Sequence, residues 1–248
     1  MLKDRSEIKH RAAALIDPLT GFSNRRGFMT SAQRMFDRQA PDNASISMLA
    51  FGLDRFKKVN DTFGHPTGDH VLRIFADVVS VTVRPADIAG RMGGEEFVLA
   101  LPGCSTDVAL AIARRIRSTF QEKAYFVEGR PVGATVSVGV ATAPEHGASL
   151  SEIIASSDIA LYRAKDLGGN RVILAARNSH GGDAATVIRI ARLGITMEVY
   201  VNYSLPKRDF GCNEVGPGPH GSESGLTKIS RMTGNKVDSP LEARGRLA

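Results

Sequence analysis

The chain has 248 residues, 42% hydrophobic and 23% charged, ordinary globular values with enough length to bury a core, which exclude extended fibres and wholly disordered chains. No apolar run reaches the ~18 residues of a spanning helix, and the N-terminus MLKDRSEIKHRAAALID has neither an apolar leader nor a cleavage site, so a cytoplasmic protein without a membrane span is expected. The net charge of +6 suggests an anionic partner, but the basic residues come in ones and twos with no aromatic-interleaved stripe, so no nucleic-acid partner is expected.

In chain order, Ser6 to Ile16 reads as a short helix ended at Asp17-Pro18, because the residue before proline is pushed out of the helical region. Arg25 to Arg38 is a second helix. Residues 45–53, SISMLAFGL, alternate as a buried strand with Ile46, Met48, Ala50 and Gly52 on one face. From Gly68 the run DHVLRIFADVVSVTVR sets Val71, Leu72, Phe75, Val78 and Val79 at helical spacing. Ile88 to Met92 and Phe97 to Leu101 flank Gly93-Gly94 as a β-hairpin. Ser105 opens an amphipathic helix with Val108, Ala111, Ile112, Ile116 and Phe120 inward. Residues 132–143 form a strand with Ala134, Val136, Val138 and Val140 in phase, and Ser149-x-x-Glu152 is a capping box opening a helix to Leu167. Arg171 to Leu174 closes the sheet. The expected class is α/β (α+β), helices packed on a partly antiparallel sheet.

Composition changes near Asn178. Glycine and proline number 14 in the 70 residues beyond it and 22 in the 178 before it, so 1–16 is expected to be a short linker helix, 17–178 the folded domain, and 179–248 a poorly ordered tail. Within that tail Thr186 to Tyr203 suits a helix or a short strand without a visible partner. Cys104 and Cys212 stand far apart in unlike contexts and read as plain thiols.

The hairpin turn Arg91-Met92-Gly93-Gly94-Glu95-Glu96-Phe97 is where chemistry concentrates. Two glycines let a backbone pass close to a bulky ligand, and two adjacent carboxylates repel each other unless something positive sits between them. A solvated acidic turn is the plainer reading, and the rest of the chain weighs against it. Upstream stand Asp17-Pro18-Leu19-Thr20-Gly21-Phe22-x-Asn24-Arg25-Arg26 and Leu53-Asp54-Arg55-Phe56-Lys57-Lys58-Val59-Asn60-Asp61, then Gly64-His65-x-x-Gly68-Asp69; downstream come Tyr162-x-Ala164-Lys165-x-x-Gly168-x-Asn170. In this order, over about Asp17 to Ile173, these residues resemble the GGDEF domain of diguanylate cyclases.

The resemblance implies a mixed sheet flanked by helices, like the adenylyl cyclase core and the polymerase palm, and the condensation of two GTP into cyclic di-GMP and pyrophosphate. Attack of a 3′-hydroxyl on an α-phosphorus needs charge neutralisation and an activated hydroxyl, the work of a Mg²⁺ or Mn²⁺ clamp. By resemblance Glu95, Glu96 and the Leu53 carbonyl are metal ligands, with Glu96 also a candidate to activate the hydroxyl. Lys57 and Lys165 hold phosphates, Lys57 steadying the transferring group, and Gly93 and Gly94 admit the nucleotide. Asn60 and Asp69 suit guanine, whose N1 and N2 donate hydrogen bonds, and His65 lies in the same loop, where a structural turn histidine is the alternative. Arg84-x-x-Asp87 matches the inhibitory product site, where arginine grips phosphate or guanine; a helix-end arginine beside a capping aspartate is the plainer reading.

Two positions depart from the pattern. The family's Asp-x-Asp reads Gly52-Leu53-Asp54 here, so one metal-ligand carboxylate is missing; Asp54 shares the face of Gly52 but starts about 6–7 Å away along the strand and does not simply replace it. Gly169 stands where the pattern has a phosphate-binding arginine. Two readings follow: a diguanylate cyclase, impaired or not, and a degenerate domain that binds GTP or cyclic di-GMP without turnover. The resemblance also implies a homodimer, each subunit presenting one GTP. About sixteen residues precede Asp17, too few for a sensor domain, so either concentration and product regulate the chain or it is a piece of a longer product.

Overall fold

The computed structural model describes residues 15–39 and 45–177 fully, together with the backbone of two further strands at 185–190 and 197–202. In chain order the elements are β1 (Ser23–Asn24), α1 (Arg25–Gln39), β2 (Ile46–Leu53), α2 (Phe56–Phe63), α3 (His65–Ser80), β3 (Ile88–Arg91), β4 (Glu96–Pro102), α4 (Thr106–Lys123), β5 (Phe126–Val127), β6 (Arg130–Pro131), β7 (Val136–Ala143), α5 (Leu150–Asp166), β8 (Val172–Leu174), β9 (Ala185–Ile190) and β10 (Met197–Asn202).

The main sheet has the order β1-β3-β4-β2-β7-β8. Its two central strands, β2 and β7, are buried along their whole length, because helices cover both faces. β2 runs antiparallel to β4 and β7, with Gly52 opposite Glu96 on one side and Ser137 on the other. The hairpin of β3 and β4 pairs Arg91 with Phe97, which places Gly93 to Glu95 in the connection. β1 and β8 join the edges in parallel. This is the mixed α/β sheet the sequence implied.

One layer of the core centres on Phe75, whose ring lies 5.4 Å from Phe51, 4.6 Å from Phe97 and 5.3 Å from Phe120, so α3 and α4 are pinned to the same face of β2 and β4. On the other face Phe28 of α1 packs with Met48, Val98 and Ile153. Helix α5 approaches β7 so closely that a Cβ at Gly139 would collide with the backbone of Ser157 and Leu161. Close helix-to-strand contact is therefore built into this glycine. Cys104 is a free, buried thiol, and burial pushes its pKa up, in keeping with a plain core thiol.

The differences from expectation are local. Leu15 lies in a turn and Ile16 forms an antiparallel bridge with Ser23, so the first helix does not extend to Ile16; Ser6 to Ala14 lie outside the described residues. The segment after β2 holds two helices, with Pro66 in the first turn of α3, so α3 starts at His65 rather than Gly68. On α4 the inward face is Ala109, Ala113, Ile116 and Phe120; Val108, expected inward, is 51% exposed. A two-residue hairpin, β5 and β6, precedes β7 where a longer strand was expected. The capping box is real: Ser149 Oγ accepts from Glu152 N at 3.2 Å, and Glu152 Oε2 accepts from Ala148 N at 2.8 Å. Beyond Asn178, β9 and β10 pair antiparallel in six-residue register, so the stretch expected to lack a partner supplies its own. Cys212 and the rest of the tail lie outside the described residues. Among the described residues no helix is long and apolar enough to cross a membrane.

Candidate active site

The C-terminal end of β2 and the β3–β4 connection meet at one point, because Leu53 N donates to Glu95 O at 3.1 Å. That bond brings Gly52, the Leu53 carbonyl, Glu95 and Glu96 together, and α5 adds Lys165 from its last turn. Lys165 Nζ lies 4.0 Å from Glu95 Oε1, both side chains about a third exposed. Glu96 begins β4 and, with Met92, Asp158 and Leu161, lines a shallow depression beside Ala50 and Phe51.

Gly52 explains why the lysine sits there. A Cβ at this buried position would come within 2.5 Å of Lys165 Nζ and 2.6 Å of its Cε. The lysine's alkyl stem thus fills the hole left by the missing side chain, and its ammonium occupies the volume where a position-52 carboxylate would leave the backbone.

The glycine turn is shaped by Arg91. Its Nη2 donates to Gly94 O at 2.7 Å and its Nε to Gly93 O at 3.2 Å, while Nη1 reaches Asp17 at 3.1 and 3.2 Å. Gly93 and Gly94 themselves are exposed, with open space beside Gly94. Burial pushes the Asp17 carboxyl up, but hydrogen bonds from Thr20 and Arg91 and the Arg91 charge outweigh it and hold the pKa below the usual 3.8. Arg91 is a shaping residue that sequence reasoning passed over, although it stands directly before the motif it supports.

Asp54 points into a different network. Its carboxylate accepts from Thr135 Oγ1 at 2.8 Å, Ser137 Oγ at 2.7 Å and Asn170 N at 2.8 Å, and its own N–H donates to Thr135 O. With those donors in place it is a structural tie between β2, β7 and the loop after α5. The loop is tight: Gly169 has φ +77° and a Cβ there would stand 2.9 Å from Asp54 Cγ and Oδ1.

A second cluster forms on α2 and α3. Asn60 lies directly over Gly68, where a Cβ would collide with Asn60 Oδ1, and that buried oxygen has no hydrogen-bond partner among the described residues. Lys57, His65 and Asp69 are exposed on the same two helices. The third group, Arg84 and Asp87, is separate. Asp87 is 1% exposed and accepts from Arg84 N at 2.8 Å, whereas the Arg84 guanidinium, 59% exposed, only grazes Asp87 and the Pro102 carbonyl at 3.4 Å. The capping role of Asp87 is therefore observed, and the guanidinium is loosely held.

The donors do not fit a two-ion clamp. Position 52 supplies no oxygen, a lysine ammonium fills the space a carboxylate would take, and no group of three or more His, Cys, Asp or Glu side chains suited to a metal ion occurs among the described residues.

The sequence matches the family model described as diguanylate cyclase, GGDEF domain, over residues 14–171. Diguanylate cyclase A of Treponema denticola is 40% identical over 134 residues, 54% of this chain and 36% of that protein. The response regulator PleD of Caulobacter vibrioides is 38% identical over 172 residues, 68% of this chain and 38% of that protein. The chain thus spans under half the length of these curated relatives. Among solved structures, the GGDEF domain of DgcB from Caulobacter crescentus in complex with c-di-GMP superimposes with a TM-score of 0.60 at 31% identity, covering 65% of this chain and 93% of that one. The active GGEEF domain of a diguanylate cyclase from Vibrio cholerae gives 0.58 at 30% identity, covering 62% and 98%. With a mixed sheet, a glycine–carboxylate turn at the end of its central strand and a family match over more than half its length, the chain belongs to the GGDEF family.

Proposed function

We propose that residues 17–178 form a guanine-nucleotide domain that condenses two GTP into cyclic di-GMP and pyrophosphate. The observation that carries this reading is the buried, unpartnered Oδ1 of Asn60, held against Gly68 on the helix pair that follows β2. A buried acceptor without a donor is costly, and a guanine N1–H or N2–H supplies the donor where adenine offers none at those positions. Asp69 completes the base contact, with His65 beside it. Lys57 and Lys165 face the phosphates, and Gly93 and Gly94 let the nucleotide approach the turn.

In this reading the 3′-hydroxyl of one GTP loses its proton to Glu96, attacks the α-phosphorus of the other and expels pyrophosphate; a second such step closes the ring. Lys57 steadies the charge that develops on the transferring group. Because each domain holds one GTP, a homodimer is required. A divalent ion enters only as the counter-ion of the triphosphate, Mg²⁺ or Mn²⁺. Arg84 serves as the product-sensing arm, which its loosely held guanidinium favours, with Asp87 as its anchor.

A second reading, a receptor that binds GTP or cyclic di-GMP without turnover, is favoured by Gly52 alone. Purified chain with GTP and Mg²⁺ separates the two. Pyrophosphate and cyclic di-GMP are the expected products. Saturable binding with no product would establish the receptor, and no binding of either nucleotide would overturn both readings.

A further inference from the structure

We infer that Lys165 is a built-in counter-cation that takes the place of one divalent ion in this chain. The inference rests on the proposal that the turn is a nucleotide site. It begins from the backbone: Gly52 is buried on β2 with Leu161 at 3.6 Å from where a Cβ would stand, and Lys165, one helical turn further along α5, reaches into the same space. The ammonium ends 4.0 Å from Glu95 Oε1 in the last turn of α5, where the helix dipole favours a cation.

Two consequences follow from charge alone. The ammonium lowers the net negative charge of the Glu95–Glu96 turn, so the site attracts a free divalent ion less than a pair of carboxylates otherwise would. A triphosphate meets a cation already in place, so its binding depends less on added metal. A carboxylate restored at position 52 would reverse both, because the obstructing atoms are the far end of a flexible side chain and swing aside cheaply.

The test is Mn²⁺ binding to the full chain without nucleotide, read from the loss of the free-ion electron paramagnetic resonance signal. Wild type is expected to bind weakly, K165M about tenfold tighter because the competing cation is gone, and G52D at least tenfold tighter. A lysine that served only the phosphates would leave metal affinity unchanged on removal, so an unaltered or weakened Mn²⁺ affinity in K165M overturns the inference. If K165M is misfolded by circular dichroism, K165Q replaces it under the same criterion. GTP titration in EDTA and in Mg²⁺ is run beside it. Affinities within about fivefold of each other support the internal cation, and a tenfold or larger demand for Mg²⁺ in wild type counts against it. Failure to bind GTP in either buffer would instead sink the nucleotide reading while the Mn²⁺ result still decided the role of Lys165.

Discussion

Asp54 and Glu95 are carboxylates at the same end of the sheet with opposite surroundings. Asp54 is met by two hydroxyls and a backbone N–H, all at 2.7–2.8 Å, and knits three segments together. Glu95 is a third exposed on a glycine turn and faces an ammonium at 4.0 Å, a spacing that leaves room for exchange. Satisfied hydrogen bonds make one acid a piece of architecture, and loose charge pairing leaves the other free to meet a ligand. The motif spelling treats them as neighbours of one kind; their contacts separate them.

The largest expected effect breaks the architectural side. D54A strands the Thr135 and Ser137 hydroxyls and the Asn170 N–H without an acceptor, and urea unfolding should show a loss of about 3 kcal/mol. G169R comes next. It restores the arginine of the family pattern, but at φ +77° and with a Cβ 2.9 Å from the Asp54 carboxylate, it should cost about 2 kcal/mol and give no gain in GTP affinity. Unchanged stability in G169R would mean that the loop re-forms readily and that Asp54 is not its fixed point.

Much of this contrast was hidden from the sequence for a physical reason. The strands, the capping box and the glycine hairpin were legible because they depend on local period and local chemistry, as β2, α5 and the β3–β4 turn show. The face of α4 was misjudged because Val108 and Ala109 are both apolar and only the position of the sheet chooses between them. Asp54 was seen to be unable to replace the lost ligand, yet its partners Thr135, Ser137 and Asn170 lie 81 to 116 positions away, beyond any local signal. Likewise Gly52 announced a missing carboxylate, but that Lys165 fills the gap is a fact of how α5 crosses β2.

A middle case sharpens the comparison. Asp17 resembles Asp54 in being hydrogen-bonded, and Arg91 ties it to the turn that carries Glu95. R91A should cost about 1 kcal/mol at neutral pH, since a half-buried bidentate pair and two contacts to the turn carbonyls are lost together. Because folding depresses the Asp17 pKa, its stabilisation is complete above the usual 3.8 and disappears as pH falls through the lower folded value. The stability gap between wild type and R91A should therefore narrow below about pH 4. A gap that stays constant down to pH 2 would assign the effect to the carbonyl contacts rather than to the ion pair.

The smallest expected change in stability falls on Glu95 and is the most telling. E95Q keeps the shape of the side chain and removes only its charge. With Glu95 partly exposed and its partner at 4.0 Å, unfolding free energy should move by no more than about 0.5 kcal/mol. Pyrophosphate release from GTP, by contrast, should fall by about a hundredfold or more, since the proposed chemistry needs charge at the turn. Stability measured by urea and turnover measured on the same preparation thus place Asp54 and Glu95 at opposite corners. If E95Q were as destabilising as D54A, the turn would be held together by its charges, and the separation between architecture and chemistry at this end of the sheet would be gone.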